Sequence, residues 1–254
     1  MGKLDRLGEE GYNNFGSKIV ISRYAKSKDI DIYFPQYNWT AKNRKYEDFI
    51  RGKVKCPYEP TIYGKGYIGE GEYKITENGK PTKYYRTWHH MLQRCYDEDY
   101  KNKYPTYKNC YAEEYMLNFQ NFCKWMDENY YEIDGERMCI DKDILHKGNK
   151  LYSRDTCLIV PHRINTLFIK NDKNRGKDVI GVRYHKRNNV YEAWCENGNG
   201  SHVYLGSYKT ENEAFQVYKK FKENLIKQIA DEYKPYIPNK LYQAMYRYEI
   251  EITD

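Results

Sequence analysis

The stretch GVRYHKRNNVYEAWCENGNGSHVYLGSYKTENEAFQVYKK, residues 181–220, decides the fold of the C-terminal part of the chain. β-branched and aromatic residues cluster over 180–186, 190–196 and 202–208. Asn188-Asn189 and the polar run 197–200 separate the three segments, so a three-stranded antiparallel sheet is expected. A helix follows from about Glu211: Thr210 is its N-cap, and Glu213, three residues later, completes a capping box. Ala214, Val217, Tyr218, Phe221 and Leu225 form its apolar stripe. That stripe needs a partner, and the inner face of the sheet is the obvious one. The charged run KNDKNRGKD at 170–178 reads as a linker into this module.

The phrases Gly181-Val182-Arg183, Tyr204-Leu205-Gly206 and Glu213-Ala214 stand in the order and spacing of a known pattern. They resemble the DNA-binding domain of plant ethylene-response factors, which also occurs in phage and bacterial endonucleases of the HNH type. The resemblance implies a sheet lying in the major groove of duplex DNA with the helix packed behind it. Strand alternation then turns Val182, Ala193, Cys195, Val203 and Leu205 toward the helix or the module's edges. It turns Arg183, His185, Trp194, Glu196, His202 and Tyr204 toward DNA. An arginine fork fits the guanine edge, so Arg183 is the first expected base contact. Lys186 and Arg187 suit phosphates. The family carries more arginine on this face, and Trp194 and Glu196 replace charged family positions.

Upstream, CIDKDILHKGNKLYSRDTCLIVPHRIN, residues 139–165, reads as strand end and loop, a short apolar strand at 157–160, and a helix from His162. It resembles the HNH, or ββα-metal, nuclease motif, in which one divalent cation stabilises the leaving oxygen while a base activates water. The resemblance implies metal ligands Asp141, Asp143 and Asn165, one Mg²⁺ or Mn²⁺ per site, and Asn149 holding the loop. Asp141, Asp143 and His146 are the expected catalytic residues. The sequence departs from the motif in lacking the Asp-His pair. Asp143-Ile144 occupies that place and His146 comes later, which leaves the base open between His146, Asp141 and a water.

Before this module, Trp88, Met91, Leu92, Cys95 and Tyr96 share one helical face, as do Phe119, Phe122, Trp125 and Met126. The spacing Trp88, Met91, Arg94, Cys95 is similar to the lead-in of phage and mobile-element HNH proteins. The likeness to phage homing-type endonucleases covers residues 84–233. Residues 1–80 read as a small β-rich domain, with strands at 18–24 and 29–34 and an Asn78-Gly79 hairpin. The Gly-rich stretch 63–73 reads as strand and turn. The basic residues Lys42, Arg44, Lys45, Arg51, Lys53 and Lys55 suit phosphate or solvent.

The expected class is therefore α+β. An N-terminal β-rich domain spans 1–80, a central ββα-metal-like module 81–169, a linker 170–178, the DNA-binding module 179–233, and a tail of short helix and strand 234–254. Formal charge follows this layout: +4 over 1–80, 0 over 81–169, +5 over 170–228 and −2 over 229–254. Two basic blocks flanking a neutral centre suit a polyanion partner. The chain has 30 Tyr, too aromatic a composition for a disordered chain. No apolar run reaches membrane length and the N-terminus has no secretory h-region. Seven Cys without a CxxC pair read as reduced thiols. These features point to a cytoplasmic monomer that binds double-stranded DNA, with no membrane and no small-molecule cofactor. It is expected to cut or nick its site with a metal ion. The alternatives are an inactive DNA-binding regulator that keeps the fold and, third, a structural factor that binds another protein.

Overall fold

The computed structural model describes residues 6–169 and 178–254. The chain is mixed α and β and forms two compact units, Met1–Glu128 with Lys150–Arg154, and Asn129–Asn149 with Asp155–Asp254. Most of the expected 170–178 linker lies outside the described residues.

The first unit begins with a four-stranded antiparallel sheet in the order β1 (Glu10–Tyr12), β2 (Lys18–Lys26), β3 (Asp29–Phe34), β4 (Trp39–Arg44). Period-two alternation puts Ile19, Ile21, Ile30, Ile32 and Phe34 on one buried face. A short helix, α1 (Tyr46–Ile50), adds Phe49 to that core. The hairpin β5 (Thr76–Glu77) and β6 (Lys80–Pro81) turns on Asn78 and Gly79, both at positive φ, as the Asn-Gly pair predicts. Helix α2 (Lys83–Tyr96) starts at Thr82, whose hydroxyl accepts from the Tyr85 amide at 3.2 Å, and buries Trp88, Met91, Leu92 and Cys95. After α3 (Glu98–Lys103), β7 (Tyr111–Ala112) and α4 (Glu114–Leu117), helix α5 (Phe119–Asn129) buries Phe119, Phe122, Trp125 and Met126.

The stretch 63–73 forms turns joined by single bridges, Ile62 with Gly66 and Tyr67 with Asn118, rather than the expected strand. The reason is close approach: a β-carbon on Gly66 would lie 2.2 Å from Leu92 of α2, so the backbone there is pressed to a helix.

In the second unit, β8 (Met138–Asp141) pairs antiparallel with β10 (Leu158–Pro161), with Asp141 opposite Leu158. Between them the chain returns to the first unit, where β9 (Leu151–Tyr152) runs parallel to β7. Helix α6 (His162–Leu167) follows β10 at once and packs on both strands. The three-stranded sheet has the order β11 (Val182–His185), β12 (Val190–Glu196), β13 (His202–Tyr208). Helix α7 (Glu211–Tyr233) lies on its inner face, and Thr210 and Glu213 close the capping box.

One hydrophobic core runs through the second unit. It joins Ile144, Leu158, Val160, Ile164 and Leu167 to Val182, Ala193 and Cys195 of the sheet and to Ala214, Tyr218 and Ile226 of α7. Each fully buried large aliphatic side chain contributes about 1.5–3 kcal/mol. Gly181 makes the join of sheet and helix possible: it sits at φ 72°, and a β-carbon there would fall 2.1 Å from the Tyr218 ring.

The tail forms α8 (Asn239–Tyr246), but the strand expected after it is absent among the described residues. Side chains take the place of a ladder. Lys219 donates to the Ile250 carbonyl at 2.7 Å, Glu223 accepts from the Ile250 amide at 2.9 Å, and Lys147 donates to the Glu249 carbonyl at 3.0 Å.

Candidate nucleic-acid interface and acidic loop

The sheet of the second unit has two unlike faces. Val182, Ala193 and Cys195 are buried against α7, and Leu205 packs partly against the same core. On the other face Trp194, on the central strand, is 37% exposed and Tyr204, on the edge strand beside it, 48%. Arg183 and His202 are exposed beside them. The ladder sets the neighbours: Arg183 faces Glu192, Trp194 faces Tyr204, Glu196 faces His202 and Glu192 faces Ser207. A register shift after Ala193 keeps Trp194 and Tyr204 opposed.

The aromatic pair is fixed. The rings lie 5.0 Å apart at 52°. The Trp194 indole N–H donates to Glu192 Oε2 at 3.2 Å, and the Tyr204 hydroxyl lies 2.6 Å from Ser207 Oγ. Lys186 and Arg187 are exposed in the β11–β12 turn. His185 and Glu196 serve the turns: His185 Nδ1 accepts from the Asn188 amide at 3.3 Å, and Glu196 Oε1 from the Gly200 amide at 2.7 Å. Six of the expected DNA-facing residues therefore stand free of turn contacts, and these two are held in place. Sequence reading passed over Glu192 and Ser207. Glu192 lies two residues before Trp194, so strand alternation alone assigns it to the same face.

Beneath the sheet, Lys222 of α7 is buried near Cys195 and Glu196. Burial pushes its ammonium below the ordinary lysine range, and burial likewise raises the Cys195 thiol to about 11.

The acidic loop is built differently. Asp141 ends β8, and its Oδ1 accepts from the amides of Asp143 at 2.9 Å and Ile144 at 2.8 Å. Burial first, and then the negative charge of Asp143, push the Asp141 carboxyl up to about 6. Asp143 Oδ2 lies 2.8 Å from the ammonium of Lys142, whose side chain is buried. Asn149 holds the loop as the motif implies, its Nδ2 donating to the Lys142 carbonyl at 2.7 Å. Ile144 anchors the loop in the core.

The structure brings Asp141 and Asp143 together at the end of β8, against which α6, the helix of Asn165, packs. The His146 ring is exposed, and Asn165 is half-buried on α6. Among the described residues no hydrogen bond joins either side chain to the two carboxylates, and no group of three His, Cys, Asp or Glu could hold a metal ion. Carboxylate oxygens suit a hard cation. Here one oxygen of Asp141 is engaged by two amides, and one oxygen of Asp143 by the Lys142 ammonium. A divalent cation at this loop would be held by the expected set Asp141, Asp143 and Asn165, with His146 exposed on the same loop.

No helix among the described residues is long and apolar enough to cross a membrane. No family model matches the chain, and no curated protein or solved structure matches it.

Proposed function

We propose that this chain is a sequence-specific binder of duplex DNA, and that the exposed face of β11–β12–β13 lies in the major groove. One observation carries the reading: a sheet buried on one side keeps Arg183, Trp194, His202 and Tyr204 exposed on the other, with the two aromatic rings held against each other. Arg183 meets a guanine edge, Lys186 and Arg187 meet phosphates, and the aromatic pair packs on sugars and thymine methyls. In this reading the second unit is a ββα piece joined to a DNA-binding module of the ethylene-response-factor type, and one copy suffices.

The test starts from a duplex selected out of a random pool by the whole protein. Binding should weaken steeply with salt through counterion release. Arg183→Ala should lose about 1–3 kcal/mol for the selected duplex and much less for random duplex. Equal affinity of wild type and variant for the selected duplex overturns the docking.

A second reading, in which the protein also cuts its site, is favoured by the meeting of two carboxylates at the end of β8 in a strand–strand–helix order. It requires His146 or Asn165 to turn toward them when DNA is bound. Discrete EDTA-sensitive products lost in Asp141→Ala support it. Intact DNA that is nonetheless bound leaves a regulator.

A further inference from the structure

The exposed sheet face holds a charge of the wrong sign for a phosphate-binding surface. Glu192 lies at its centre, half-buried, across the ladder from Arg183 on one side and Ser207 on the other. One of its oxygens, Oε2, accepts from the Trp194 indole at 3.2 Å. The other has no hydrogen-bond partner among the described residues. The carboxylate is therefore fixed in direction, with one acceptor presented outward.

A fixed negative charge on such a face opposes every register that brings a phosphate to it. It is favourable only where a hydrogen-bond donor of the DNA meets it. In the major groove the donor that pairs with a carboxylate is the exocyclic amino group of cytosine. Attraction to one partner and repulsion of the others together make specificity.

On the reading that this face takes duplex DNA, we infer that Glu192 is a specificity-determining residue: it fixes Trp194 with one oxygen and accepts from a cytosine amino group with the other. Because Arg183 and Glu192 are cross-strand neighbours, their two bases are close in the site. The selected duplex therefore carries a cytosine within a step or two of the guanine read by Arg183. Glu192 also keeps the basic turn at Lys186 and Arg187 from binding any duplex indiscriminately.

Glu192→Gln separates the roles, since glutamine keeps an oxygen for the indole and loses the charge. The probe is the selected duplex, its single-base-pair variants and a random duplex. Glu192→Gln should relax the cytosine preference from roughly tenfold to near parity while other positions keep theirs. Random duplex should bind several-fold tighter. The Trp194 indole N–H resonance should stay in place in Glu192→Gln and move in Glu192→Ala, and a cytosine preference lost in Glu192→Gln with the indole still in place is what a merely stabilising glutamate would not predict. Unchanged preference at every position in Glu192→Gln, with wild type still selective, overturns the inference and spares the docking. Loss of all binding selectivity in wild type itself overturns both.

Discussion

The two sheets carry their arginines in opposite ways. In the four-stranded sheet Arg23 on β2 donates to Asp31 at 2.8 Å and to Asp29 at 2.6 Å, and Lys18 pairs with Glu10 at 2.8 Å. In the three-stranded sheet Arg183 is exposed opposite Glu192 with no such bond among the described residues, and Lys186 and Arg187 are exposed. The first sheet closes the charge of Arg23 on itself, which ties β2 to β3. The second leaves the charge of Arg183 open to solvent. Charge that is open in the folded state is a better guide to function than net charge, because the first eighty residues are nearly as basic as the C-terminal block.

The contrast breaks most visibly at a glycine. Gly181→Ala forces a β-carbon into the Tyr218 ring at φ 72° and should cost about 3–5 kcal/mol, combining backbone strain with overpacking. Gly16→Ala in the other sheet meets open space at φ 85° and should cost only about 1–2 kcal/mol. Chemical denaturation of the two variants checks the difference, and equal losses would mean that β11 does not rest on α7. A smaller effect sharpens the charge comparison. Arg23→Ala should lower stability slightly and leave DNA affinity unchanged, the reverse of Arg183→Ala.

The smallest effect extends the contrast to the acidic loop. Burial and the nearby Asp143 charge raise the Asp141 carboxyl to about 6, above the ordinary carboxylate range. The folded chain then binds more protons than the unfolded one between about pH 4 and pH 6, so stability falls as pH rises through that window. Asp141→Asn keeps an acceptor for the two loop amides and should flatten that part of the profile. Parallel melting-temperature profiles for wild type and variant would place the carboxylate in solvent.

Much of this architecture is legible in sequence because local signals agree. Asn78-Gly79 predicts its hairpin, Thr210 and Glu213 predict the capping box, and the alternation from Val182 to Leu205 separates the sheet's faces. The stretch 63–73 and the tail are not legible, because their conformations answer to distant groups. Gly66 yields to Leu92, and the tail's backbone is satisfied by Lys147, Lys219 and Glu223. The acidic loop is half legible. Spacing puts Asp141 and Asp143 side by side and gives Asn149 its holding role, whereas the direction of the His146 ring depends on loop geometry that spacing does not encode.

The continuous core of the second unit has a consequence for anyone who would take the molecule apart. The strand and helix that follow the acidic loop and the sheet that carries Arg183 bury side chains in the same interior, through Leu158, Val160 and Ile164 on one side and Val182 and Ala193 on the other. Cutting the chain ahead of β11 would leave half of that interior facing water. The three-stranded sheet shares its core with the acidic loop, so a graft of the sheet by its sequence limits alone would expose that core.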